Sequence, residues 1–436
     1  ATCRLAAPAR VIVTCRVRSY QGTAVLPGFE VHTLAPLDED KIHRFCIGWY
    51  EAQRELGRVD AEEAGQRGVS LAAAALSGDL RELAGNPMLL TTLALIHQRN
   101  IEFPDHRVEL YDMAIRVLTE KWQSWYVGLS QSLALNDILK DSVRMGQVLQ
   151  RLAVEALEVG GTRREREAGL PRGEILTLLD DPDYLGDTRL VSEFLDYVDQ
   201  RAGLLIGQGG EPGRHHAYSF PHRTFQEYLA GRHLVSSWDP VTECYQRAAE
   251  GDLWALAVEL GSESLLWVDR KPKDLLRLAY GLGRSDERDS DQWRRSVLWS
   301  GRMTALVGAE SIERDTGGPV EGREYLEQIR PRLVQVMRSA LPAVERAAAG
   351  RVLAVLGDRR EEVATLDGME FCWVPPGRFR MGCDRGPEAE KPAHDLEIPY
   401  GYWMARYPVT VAQFRAYVEE SGVKPEDEDS LKGAPN

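Results

Sequence analysis

The 436-residue sequence predicts a multidomain, predominantly α fold. Three observations carry this reading. The length allows two to four domains at the usual ~100–200 residues each. Apolar residues recur at helical spacing through most of the chain from about Leu71 to Arg360, and the pattern changes to a period of two near Glu361. An apolar fraction of 43% is enough for real cores.

Taken in order, Val11-Ile12-Val13 is a continuous run of β-branched residues that predicts a buried parallel strand, and Glu30 to Ala35 predicts the next strand, ended by a turn at Pro36. The acidic run Asp38-Glu39-Asp40 precedes Ile42, Phe45, Cys46 and Trp49 at helical spacing, placing negative charge where a helix N-terminus favours it. From about Leu71 to Trp125 the pattern is wholly helical. Asn86-Pro87 is a start signal, with Asn as N-cap and Pro at the first helical position, and Met88 to Ile96 is apolar nearly all round, as in a buried helix. Val108, Tyr111, Ile115, Leu118 and Trp122 then form one apolar stripe.

Leu149 to Val159, Glu174 to Leu179 and Val191 to Gln200 predict further helices. Gly203 to Ile206 and Ala217 to Phe220 predict two short strands around a polar loop, Gly207 to His216. Helices with a small hairpin suggest a winged-helix unit. Val235 to about Arg360 predicts stacked helical hairpins, broken at Arg284 to Asp291 and at Thr316 to Pro319. Beyond Glu361, Met369, Phe371 and Trp373 alternate, Pro375-Pro376-Gly377 turns, and Phe379 and Met381 alternate again, predicting a β-hairpin that starts a new domain. His394, Leu396 and Ile398 suggest another strand, and Thr410 with Gln413 predicts a capping box opening a helix.

The formal charge of -14 argues against a general binder of nucleic acid or anionic membrane. Six scattered cysteines without a CxxC pair fit neither a disulfide framework nor a zinc site, so a reducing cytoplasm is expected. No run of ~18 apolar residues suggests a membrane span, and no basic-then-apolar leader suggests export. The chain begins Ala-Thr-Cys-Arg and stops at Asn436 soon after a new unit starts, so a fragment of a longer protein is expected.

The segment Phe220 to Ala230 places His222 and Arg223 before a helix start. Thr224 and Glu227 read as a capping box, so the helix is expected to begin near Phe225 with its unpaired N–H groups facing His222, a geometry that suits a phosphate. No G-x-x-x-x-G-K-[ST] loop exists in the chain, so these residues alone are not expected to hydrolyse ATP.

Three segments in this order, Val11 to Arg16, Leu83 to Leu90 and His222 to Ala230, resemble the second half of a NACHT-type nucleoside triphosphatase of the STAND class. Leu110 to Ala114 with Trp122 looks like the helix that begins that family's winged-helix domain. The resemblance implies that residues 1–65 end an α/β P-loop NTPase core, 66–125 form the helical domain and the start of the winged helix, and 126–235 complete the winged helix. It further implies that Arg16 senses the γ-phosphate, that Pro87 packs near the adenine, and that His222 contacts the ADP β-phosphate at rest. Arginine offers a charge-assisted fork, proline an apolar face and histidine a donor at a helix start. Each residue also has a purely structural reading: Arg16 as a solvated strand-end charge, Pro87 as an ordinary first-turn proline, His222 as a turn histidine.

Met369 to Gly382, Glu388 to His394 and Tyr402 to Thr410 carry a second resemblance, to the formylglycine-generating-enzyme or sulfatase-modifying-factor domain, an α+β fold of C-type-lectin type. It implies that 361–436 is the first part of such a domain. That family's catalytic cysteines and metal ligands do not match Cys372 or Cys383, which read better as a pair of small buried thiols. His394, alone on a strand, reads as structural. Residues 236–360 are then a repeat-like connector, whose Leu341 to Arg359 stretch weakly resembles a HEAT-like pair and equally fits an ordinary helix closed at Gly357.

The expected function is a cytoplasmic, nucleotide-controlled switch, with ATP or ADP and Mg²⁺ as cofactors of the complete protein, adenine nucleotide and further copies of itself as partners, and an unidentified trigger. No nucleic acid or membrane partner is expected. The alternative is a metal-dependent oxidase of the formylglycine-generating type regulated by the NTPase half. A scaffold without nucleotide chemistry is the third reading.

Overall fold

The computed structural model describes residues 27–423, apart from 33, 79, 100–102, 127–131, 163–168, 202–204, 212–213, 221, 284–289 and 319–320. Two compact units divide the chain, Ala1–Leu275 and Leu276–Asn436.

In the first unit, α1 (Glu39–Glu55) starts as its acidic run predicts: Asp38 is the N-cap and its carboxylate accepts from the Lys41 N–H, while Ile42, Cys46 and Tyr50 are buried. Ahead of it, the described residues of the expected strand Glu30 to Ala35 carry no strand, with Val31 63% and Leu34 93% exposed. A strand needs a neighbour's ladder to satisfy its backbone, and among the described residues none lies beside it. Val11 to Val13 lies outside the described residues. Next come α2 (Ala61–Ala75), α3 (Leu80–Ala84) and α4 (Pro87–Arg99). The Asn86 side chain accepts from Met88 N–H at 2.9 Å and from Leu89 N–H at 3.4 Å, so Asn86 caps α4 and Pro87 occupies its first position. Leu89, Leu90, Leu93, Ala94 and Ile96 are all at most 2% exposed, which makes α4 the buried helix its composition predicts.

The winged-helix elements follow: α5 (Arg107–Tyr126), α6 (Leu133–Lys140), α7 (Ser142–Thr162), β1 (Leu170–Pro171), α8 (Arg172–Leu179), α9 (Thr188–Arg201), β2 (Ile206–Glu211), β3 (Arg214–Ser219) and α10 (Arg223–Ser236). The hairpin is longer than the sequence predicts, because residues between Gly207 and His216, expected as a polar loop, continue the ladder from Ile206↔Ser219 out to Glu211↔Arg214. Glycine and polar residues fill most of these positions, so the sequence there shows no apolar alternation to read. The third strand, β1, pairs Leu170 with Tyr218 and completes a sheet of order β1-β3-β2. Two residues are too few to show a period. Arg172 secures this corner, donating to Tyr218 Oη at 3.2 Å and to Ser192 Oγ at 2.5 Å.

The unit continues through α11 (Pro240–Arg247) and α12 (Ala255–Trp267). Helix α10 packs between α7 and α12, burying Phe225, Tyr228, Leu229, Ala230, Leu234 and Val235. With α12 averaging strongly apolar and burying residues on several faces, it is an interior helix.

The boundary between the units falls within α13 (Pro272–Gly283). In the second unit, α14 (Asp291–Val307), α15 (Ala309–Glu313), α16 (Gly322–Met337) and α17 (Ala343–Leu356) form a helical layer, with α14, α16 and α17 in mutual contact. Tyr325, buried to 2%, exchanges hydrogen bonds with Ser300 at 2.5 Å and Thr304 at 2.9 Å, so its hydroxyl is satisfied within the core. Arg330 donates twice to the Leu356 carbonyl, at 2.9 and 2.6 Å, closing α17 just before Gly357, whose φ of +88° suits the expected glycine stop.

After α18 (Glu361–Ala364) come β4 (Phe371–Val374), β5 (Gly377–Met381), β6 (His394–Ile398), β7 (Tyr402–Ala405) and α19 (Val411–Ser421). The expected hairpin of β4 on β5 is not formed. Instead β4 pairs with β7 and β5 with β6, both antiparallel. Alternation marks a strand but not its partner, which long-range packing selects. The Thr410 capping box is present, and Gln413, 2% exposed, also donates to the Glu362 and Thr365 carbonyls, tying α19 to α18.

Candidate nucleotide-phosphate site

His222 lies at the start of α10, but not where the sequence pattern put it. It is itself the N-cap, with extended backbone (φ −143°, ψ 138°), and α10 begins at Arg223, two residues earlier than the Thr224 box predicts. The His222 Nδ1 accepts from the Thr224 N–H at 3.3 Å, doing for the helix what a Ser or Asp usually does. Glu227, which the box needed to reach back to the cap, is instead buried and ion-paired with Arg223 at 2.8 Å. An acceptor side chain one position before Arg223 satisfies the first turn, so Thr224 is drawn inside the helix.

This arrangement sets the chemistry of the ring. With Nδ1 accepting, a neutral His222 carries its proton on Nε2, making that nitrogen a donor. The ring is half-buried at the positive end of a fourteen-residue helix. A donor in that place is suited to an anion. Pro87 sits at the first position of α4, its Cα next to the Asn86 cap, with the neighbouring Gly85 carbonyl accepting from Leu37 N–H at 2.8 Å. Arg16 lies outside the described residues. Pro87 and His222 open two different helices of one unit.

A polar network behind α10 had no signal in the sequence, because its members are far apart along the chain. Tyr228, almost fully buried, donates to the Asp112 carboxylate of α5 at 3.4 Å, and burial followed by the Asp112 charge pushes its phenol far above the usual range. Arg232 pairs with Asp269 at 2.8 Å. Arg107, at the first turn of α5, forks onto Glu263 and Glu259 of α12, with contacts of 2.5 and 2.6 Å. The His106 ring stacks on Trp267 with centroids 3.8 Å apart. These ties bind α5, α10 and α12 to one another around the helix that carries His222.

In the second unit, Cys372 and Cys383 are both exposed, which corrects their reading as buried thiols. Cys372 lies on β4, which pairs with β7 in a two-stranded ladder, and Cys383 lies past the end of β5, its N–H donating to the Glu390 carbonyl at 3.0 Å. The His394 Nδ1 lies 2.9 Å from the Pro392 carbonyl oxygen, a local structural bond. Among the described residues no group of three or more His, Cys, Asp or Glu is arranged to hold a metal, and no helix is long and apolar enough to cross a membrane.

Fold and site together define a multidomain, predominantly helical protein with a winged-helix domain that presents a histidine at a helix start. Residues 107–234 match the family model of the winged helix-turn-helix domain C-terminal to NACHT, and residues 358–435 match that of the sulfatase-modifying factor enzyme 1-like domain. The chain thus joins a NACHT-associated winged helix to a formylglycine-enzyme-type segment through a helical region. No curated protein and no solved structure matches it.

Proposed function

We propose that this chain is the winged-helix and downstream part of a nucleotide-controlled switch, in which His222 contacts the β-phosphate of bound ADP and holds the resting state. The observation that carries the proposal is the position of His222 as N-cap of α10, with Nδ1 accepting from the Thr224 N–H, inside a segment that matches the winged helix following NACHT domains. In this reading the phosphate loop, Mg²⁺ and the γ-phosphate sensor act from a NACHT core, with Arg16 at the sensor position and Pro87 beside the adenine. ADP bridges core and winged helix, and exchange for ATP releases that bridge so that the domains reorient and the protein self-associates. The unidentified trigger would act by favouring the released state.

The test is ADP retention by the complete NACHT protein that carries this segment, as wild type and as His222→Ala. Loss of bound ADP with a shift toward the oligomer supports the switch; unchanged nucleotide affinity and an unchanged resting state would sink it. The second reading, oxidation of a substrate cysteine by the formylglycine-type domain, is favoured by the match over residues 358–435. Conversion of a cysteine-containing sulfatase peptide by the complete protein, followed by mass spectrometry, distinguishes an oxidase from a binding module.

A further inference from the structure

A cleft of about 410 Å³ opens in the first unit between the C-terminal end of α4, the middle of α5 and the segment that follows α12. Ile96 lies nine residues past Pro87, about 14 Å farther along α4 at 1.5 Å per residue, so the cleft is removed from the end of α4 that the nucleotide reading uses. Its floor is apolar. Ile96 and Val117 are 2% and 5% exposed, Met113 adds a flexible, polarisable thioether, and the Trp267 indole is fixed in orientation by its stack on His106. Around this floor stand Arg99, Arg116 and Arg270 with two carboxylates, Glu109 and Asp112.

The charges of the rim are closed on one another. Arg116 pairs with Asp112 at 2.6 Å and Arg270 with Glu109 at 2.9 Å. Asp112 also accepts from the Tyr228 hydroxyl, and Arg99, the remaining charged residue of the lining, is engaged within the protein as well. An anion reaching for the arginines would compete with carboxylates tethered beside them, and a cation reaching for the acids would meet three guanidiniums. Either ion would also surrender its hydration against the apolar floor. A neutral body meets neither cost. The rim therefore selects against charge of both signs, while the floor selects for apolar surface.

The backbone adds an independent sign. Arg270 is the one non-glycine among the described residues with a positive φ, 57°, a conformation that strains an L-residue and is concentrated at ligand clamps and active sites. The Lys271 N–H to Leu265 carbonyl bond at 2.8 Å and the Asp269 N–H to Ser264 carbonyl bond at 2.9 Å hold this turn. Its strain is spent on bringing Val268 and Arg270 to the cleft directly after Trp267.

We propose that this cleft binds a small, flat, uncharged aromatic molecule, with its rings on Trp267, Met113 and Ile96 and the ion pairs of the rim left intact around it. Ring packing on the indole and sulfur–ring contact with Met113 both favour an aromatic body. The volume lies in the range of ordinary small-molecule sites, which are likewise mostly apolar. Because α4, α5 and the turn after α12 each contribute a wall, the bound molecule fastens these three elements together.

The proposal is tested by calorimetric titration of the chain with three probes of one shape: neutral 2-naphthamide, anionic 2-naphthoate and cationic 2-naphthylmethylammonium. The expected result is one naphthamide per chain, bound at least tenfold more tightly than either ion and with an affinity that salt does not change. Met113→Trp, which fills the floor, should remove binding. In a chain carrying ¹³C-methyl methionine, naphthamide should move the Met113 methyl signal, assigned by its loss in Met113→Leu, more than that of any other of the 8 methionines; this carries the test if Met113→Trp fails to fold. Arg270→Gly, which keeps the turn's backbone and deletes the guanidinium, should change naphthamide affinity less than threefold. No naphthamide binding, binding of either ion at equal or greater strength, an unmoved Met113 signal, or a loss of fivefold or more in Arg270→Gly overturns the proposal.

Discussion

Gly231 of α10 and Gly261 of α12 meet backbone to backbone: a Cβ on Gly231 would stand 2.0 Å from the Ala257 carbonyl oxygen, and one on Gly261 would stand 2.5 Å from the Gly231 carbonyl oxygen. Replacing glycine by alanine inside a helix ordinarily stabilises by roughly 0.5–1 kcal/mol. Here the sign reverses, because the obstructing atoms are main chain and cannot rotate away. Gly231→Ala and Gly261→Ala are each expected to destabilise the first unit by about 2 kcal/mol or more, the range of overpacked cores. Urea denaturation of each variant checks this; a rise in midpoint would show that the helices separate without cost.

His222 has two roles that substitution can separate. As an N-cap its loss to alanine should cost roughly 0.5–1.5 kcal/mol, while Asp, a better cap, should preserve or raise stability. As the proposed phosphate contact, His222→Asp places a negative charge against the ligand and should lose ADP at least as completely as His222→Ala. Thermal melts of the chain together with ADP retention by the complete protein give the pair of readouts; ADP held normally by His222→Asp would leave only the cap.

His97 is fully buried, with Nδ1 2.6 Å from the Tyr50 hydroxyl and Nε2 3.2 Å from Ser70 Oγ. Burial, and secondarily the charge of Arg67, lowers its pKa. The unfolded chain takes up this proton near pH 6.5 and the folded chain does not, so the unfolded state binds more protons and stability falls as pH drops below about 6.5, by at most about 1.4 kcal/mol per pH unit for one group. His233, also lowered by burial, acts in the same sense. In His97→Phe the loss of denaturation midpoint between pH 7.5 and 5.5 should be smaller than in the wild type, though not zero. An equal loss would show that His97 does not contribute.

Arg107 holds two α12 carboxylates with its own side chain 26% exposed and Glu263 12% exposed. Removing it takes the guanidinium from both acids, so Arg107→Ala should cost about 2–3 kcal/mol, somewhat below the cost of breaking a fully buried pair. Glu259→Gln should cost less, since Glu259 is 31% exposed and leaves Glu263 in place. Chemical denaturation orders the two variants.

Cysteine reactivity should divide by burial. The Cys46 and Cys244 thiols are buried, and desolvation pushes them up to about 11 and about 12 respectively, leaving almost no thiolate at neutral pH. Cys372 and Cys383 are exposed. Brief iodoacetamide treatment with peptide mapping should label these two and spare Cys46 and Cys244; protection of Cys372 and Cys383 would mean that β4 and the loop after β5 are covered.

The helix starts that carry Pro87 and His222 were legible in the sequence, but the capping detail was not. Asn86-Pro87 and Thr410 with Gln413 open their helices as read, because a cap depends on residues within one turn. At His222 the same kind of signal misled: Thr224 and Glu227 have the spacing of a capping box, yet the histidine one position before Arg223 accepts from the Thr224 N–H and starts the helix earlier, and Glu227 finds Arg223 instead. Hairpin pairing failed in a related way, since Phe371 to Met381 shows two strands by alternation and nothing in that alternation names Tyr402 to Ala405 or His394 to Ile398 as their partners.

By itself, the sequence determined most of the helices, the helix starts at Asn86-Pro87 and Thr410, and that a histidine precedes a helix in the winged-helix segment, since these rest on contacts within about four residues. Only the tertiary structure decided that His222 caps α10, that Gly231 and Gly261 let α10 and α12 touch, that Arg107 reaches across about 150 residues to Glu259 and Glu263, and that Trp267 and Arg270 meet Met113 and Arg116 at one cleft. Those relations depend on close packing and on charges kept from water, and both arise only when distant parts of the chain are brought together.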